Sequence, residues 1–67
     1  MMNCFYSTKC YKQNVILVQF NGKYNKEELI EYVDKNYPHV SYEIINIINP
    51  ENLPENVEYG WVTLKIN

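Results

Sequence analysis

Sixty-seven residues provide one domain, 1–67, and the 46% apolar, 21% charged composition is that of a folded chain, not a disordered one. A net charge of −2 and a pI near 5.2 weigh against a basic nucleic-acid-binding surface. The longest apolar run, Val15-Ile16-Leu17-Val18, falls far short of the ~20 residues that cross a bilayer.

Residues 3–8 begin the chain with a short strand, since Tyr6, Phe5 and Thr8 favour extended structure. The polar stretch 9–14 then reads as a loose hairpin turn. Residues 15–20 are a strong strand that ends at the turn dipeptide Asn21-Gly22. A helix follows over 26–36. Asn25 is a suitable N-cap, Glu28 three residues on resembles the reciprocal half of a capping box, and Pro38 stops the helix. Leu29, Ile30, Val33 and Tyr37 give this helix one apolar stripe, with Glu27, Glu31 and Asp34 toward its other side.

Residues 40–48 are rich in β-branched side chains and read as a long strand. A proline-punctuated loop follows, and residues 61–66 form the closing strand. The order is therefore β-β-α-β-β, or β-α-β-β without the first strand. The fold class is α+β, with one helix packed on one face of a small antiparallel or mixed sheet. Ile16, Val18, Phe20, Val62, Leu64 and Ile66 are the residues expected to meet Leu29, Ile30 and Val33.

Catalytic signals are weak. His39 is the sole histidine and has no evident nucleophile or orienting carboxylate in sequence. Cys4 and Cys10 lie too far apart for the close cysteine pairs of structural zinc, and Gly22 and Gly60 stand alone, so no phosphate loop is present. The expectation is a non-enzyme without metal or cofactor. Met1-Met2-Asn3-Cys4-Phe5 carries no basic segment ahead of an apolar one, so the expected location is cytoplasmic and both cysteines are expected to be free thiols.

Two features exceed what the fold requires. Glu51, Glu55 and Glu58 crowd one loop, where they can contact a basic partner surface. A single helix covers only one face of the sheet, which leaves Val15, Leu17, Trp61 and part of the Tyr42–Ile44 pattern without cover. Both point to a small protein-binding module that inhibits or regulates a larger protein, or to a homodimer. Asn, Ile, Lys and Tyr dominate while Ala and Arg are absent, the bias of an AT-rich genome. Inhibitors carried by phages or mobile elements, anti-CRISPR proteins among them, share this size. The alternatives are a nucleic-acid-binding protein that stacks bases on sheet aromatics, which the acidic balance and missing Arg disfavour, and an accessory subunit of an enzyme. No membrane partner is expected.

Overall fold

A computed structural model of the chain describes residues 2–48 and 59–67, and in them five elements follow in the order β1 (Asn3–Cys10), β2 (Val15–Asn21), α1 (Lys26–Asn36), β3 (Tyr42–Ile48) and β4 (Gly60–Ile66). The four strands form one sheet in the order β1-β2-β4-β3, with every neighbouring pair antiparallel. The fold is thus the ββαββ form of α+β. Among the described residues no helix is long and apolar enough to cross a membrane.

α1 begins where the sequence places it. The Asn25 side chain accepts a hydrogen bond from the Glu28 amide at 3.0 Å, which satisfies one of the amides that a helix start leaves open. The reciprocal half of the capping box does not form. The Glu28 carboxylate instead accepts from the Met2 amide at 3.0 Å, and the Asn25 amide points at the Met2 sulfur. This tie, made as buried Met2 joins the core, fastens the first described residue to the helix start.

The core lies between α1 and one face of the sheet. Ile16, Val18 and Phe20 of β2, Val62 and Leu64 of β4, and Leu29 and Val33 of α1 are all fully buried there. Ile66, Tyr37, Tyr42 and Ile44 pack around its margin. Gly60 is required at its place: a Cβ there would stand 2.5 Å from the Ile48 carbonyl oxygen and 2.5 Å from Phe20 Cζ. β4 can therefore pass between β3 and the Phe20 ring only as bare backbone.

β2 and β4 are each one residue longer than the sequence suggests, and β1 and β3 differ by more. β1 runs on through Cys10, because Lys9 and Cys10 pair with Ile16 and Val15, and the turn shrinks to residues 11–14. Asn14 holds that turn with φ 56° and brackets Ile66, accepting from its amide at 2.9 Å and donating to its carbonyl at 2.8 Å. Asn tolerates this left-handed geometry better than most residues. β3 is shorter than residues 40–48, starting at Tyr42 after exposed Ser41.

Both edge strands carry a bulge. In β1 the register slips between Cys4 and Tyr6, and in β3 it slips between Ile44 and Asn46. Each inserts one unpaired residue, Phe5 or Ile45, and reverses the alternation beyond it.

Candidate functional site

The face of the sheet turned away from α1 is built in three cross-strand rows. Cys10, Val15, Lys65 and Glu43 form the first, and Thr8, Leu17, Thr63 and Asn46 the second. Tyr6, Gln19, Trp61 and Ile48 form the third. Past that row the rings of Phe5 and Tyr59 meet at 5.4 Å between centroids, tilted by 59°. Such tilted contact suits the quadrupoles of aromatic rings. The polar middle and aromatic end are covered by no other element among the described residues.

Val15, Leu17 and Trp61 lie on this open face, as their alternation requires, and each is half-buried by its neighbours. Tyr42 and Ile44 do not lie there. They pair with Ile66 and Leu64 and pack on the core, so the expectation that they share the uncovered face is corrected. The reason is that strand 40–48 is apolar in both registers, and sequence alternation cannot choose between them. Glu51, Glu55 and Glu58 fall outside the described residues.

The bulges decide which other residues reach the open face. Without one in β1, Cys4, Tyr6 and Thr8 would share a face. The slip at Phe5 leaves Cys4 opposite buried Phe20 and turns Tyr6 and Thr8 outward. Likewise the slip at Ile45 sends Ile47 to the helix side with Ile44 and sends Asn46 and Ile48 to the open face. Phe5, Tyr59, Gln19, Thr63 and Ile48 are thus face residues that the sequence reading did not select. Parity counted from Trp61 would have found Tyr59 and Thr63.

The helix side offers less. Tyr42, Ile44, Glu43, Lys26 and Ile30 line an open groove of about 470 Å³ between α1 and β3, a lining without serine, threonine, cysteine or histidine. A smaller hollow of about 250 Å³ holds Met2, Cys4, Glu28, Glu31, Tyr32 and Lys35. Burial, and secondarily the nearby Glu28 charge, push the Cys4 thiol up from its ordinary pKa, which favours the less reactive protonated form. Beside it Ser7 Oγ accepts from the Tyr32 hydroxyl at 3.1 Å and shares a second bond with the Tyr37 hydroxyl at 3.1 Å, tying β1 to α1.

Both cysteines are free. They stand six residues apart in one strand, on opposite faces, and strand geometry separates them by roughly 20 Å. A disulfide needs Cα atoms within about 7 Å, so the two cannot bridge within one chain. Exposed His39 sits at φ 67° between α1 and β3. Among the described residues no three of the His, Cys, Asp or Glu side chains converge in a way that would hold a metal ion. Set against known protein families, curated proteins and solved structures, the chain matches none.

Proposed function

We propose that this chain is a protein-binding module that docks through the open face of its sheet and so regulates or inhibits a larger protein. The observation that carries this reading is the aromatic end of that face. Phe5 is 46%, Tyr6 51% and Tyr59 42% exposed, next to half-buried Trp61 and exposed Ile48. Rings of this kind bury about 150–250 Å² each, so these three leave roughly 280 Å² of aromatic surface in water. Tyrosine and tryptophan also supply much of the energy at protein interfaces. The charges on the three rows are Glu43 and Lys65, which stand opposite each other in register and offset one another. Such a face gives phosphate little attraction, which favours a protein over a nucleic acid as partner.

Capture from the native host tests the proposal, with bound protein and nucleic acid both identified. The expected result is a discrete protein that stays bound as salt is raised and is lost with Tyr6→Lys. Recovery of nucleic acid that salt releases would overturn it. So would a protein that binds the Tyr6→Lys chain equally well.

A further inference from the structure

We infer that in the free protein the open face is covered by a second copy of this chain, the two sheets stacked face to face about a two-fold axis. The inference rests on the reading of that face as a docking surface and names its resting occupant.

Three observations select a second copy. The edges are the first. An edge strand is the usual route by which sheets join, and a bulge is one of the devices that blunt it. Here both edges are bulged, at Phe5 in β1 and at Ile45 in β3, so neither offers an unbroken ladder to another strand. Association is directed to the face instead.

The second is charge. The chain as a whole carries −2, yet the three rows of the face hold one lysine and one glutamate placed opposite each other. A face of zero net charge meets its own copy without like-charge excess. A two-fold axis along the strands sets β3 over β1 and β4 over β2, so Glu43 and Lys65 of one copy lie over Cys10 and Val15 of the other and no like charges meet. Isologous contacts of this kind are the commonest form of self-association.

Area is the third. Four strands at about 4.8 Å and seven residues at about 3.4 Å give a footprint of roughly 450 Å². Two copies stacked about 10 Å apart cover roughly 900 Å², and Tyr59, one residue beyond β4, brings the total near the ~1,000 Å² that a specific interface needs. This sets the strength as well as the occupant. A contact at the lower limit of size makes a dimer that dissociates on dilution, so the face can be released to a larger partner that covers more of it.

Sedimentation equilibrium from low micromolar to near-millimolar concentration tests the inference. It is run on the wild type, on Tyr6→Lys and Thr63→Lys in the face, and on Lys26→Glu in the groove of the opposite side, with far-UV circular dichroism confirming each fold. The expected result is a wild-type monomer–dimer equilibrium within that range. Each face variant should weaken it by roughly tenfold or more, and Lys26→Glu should leave it unchanged. A wild type that stays monomeric throughout overturns the inference, as does a dimer that neither face variant disturbs. The two readings fail separately. A monomer whose partner capture is still lost with Tyr6→Lys ends the dimer and keeps the docking face. A dimer as expected, whose face variants still capture the partner, keeps the dimer and ends the reading of that face as the partner's site.

Discussion

Replacing Gly60 by Ala should destabilise the protein by about 2 kcal/mol, although the same exchange in an unconfined strand would be neutral or favourable. Gly60 does not lie at positive φ, so alanine can adopt its backbone. The loss of chain freedom in the unfolded state would then favour alanine by about 0.4–1 kcal/mol. Contact decides the sign. The added methyl would meet Ile48 O at 2.5 Å, Phe20 Cζ at 2.5 Å and Phe20 Cε1 at 2.7 Å. The first of these is backbone of a paired strand, and the Phe20 ring is fully buried, so neither yields cheaply. Overpacking of this kind costs about 1–3 kcal/mol, and two rigid neighbours place it near the top of that range. A domain of this length has roughly 3–10 kcal/mol to lose. Thermal unfolding followed by circular dichroism should show Tm lower by about 8–16 °C. Phe20→Leu removes one of the two obstacles, so Gly60→Ala should cost about 1 kcal/mol less in that background. An alanine variant as stable as the wild type would refute the reasoning.

The remaining predictions concern polar groups of the helix side. Ser7→Ala removes the acceptor of the Tyr32 hydroxyl and the partner of the Tyr37 hydroxyl, and should cost about 1–2 kcal/mol in urea unfolding. A change under about 0.5 kcal/mol would mean that water replaces both bonds without loss. Stability should also decline in alkali. Cys4 titrates above its ordinary value of 9.0 in the folded state, mainly through burial and then through Glu28. From pH 9.0 upward the unfolded chain therefore holds fewer protons than the folded one, and unfolding becomes more favourable as pH rises. Tyr24 and Tyr42, raised above 10.0 mainly by burial, continue the same trend at higher pH. Cys4→Ser should flatten the part of the profile just above pH 9.0, and an unchanged slope there would contradict this origin.

The helix was legible almost to the residue because its boundaries are written locally. Asn25 supplies a side-chain acceptor at one end and Pro38 forbids continuation at the other. Val15, Leu17 and Trp61 were legible as open-face residues because β2 and β4 keep an unbroken alternation against the core. The edges were not. A bulge is a property of two strands in register, and nothing in the residues beside Phe5 or Ile45 announces one. The slip in β3, together with its isoleucines on both parities, is why the sequence puts Tyr42 and Ile44 on the wrong face. Tyr6 changed face relative to Cys4 for the same reason.

The strand order has a kinetic consequence. β4 lies between β2 and β3, and its pairing with β2 joins residues as distant in sequence as Val15 and Lys65. The β1–β2 hairpin can close through a short turn, and α1 can nucleate through its own cap. β3, however, has no strand to join until β4 arrives. β3 and β4 are consecutive and can pair with each other. Joining β4 to β2, however, closes a long loop and costs chain entropy before its contacts repay it, so β2–β4 pairing is the step expected to limit folding. Substitutions in β4 should therefore slow folding, while those in the β1–β2 turn should mainly quicken unfolding.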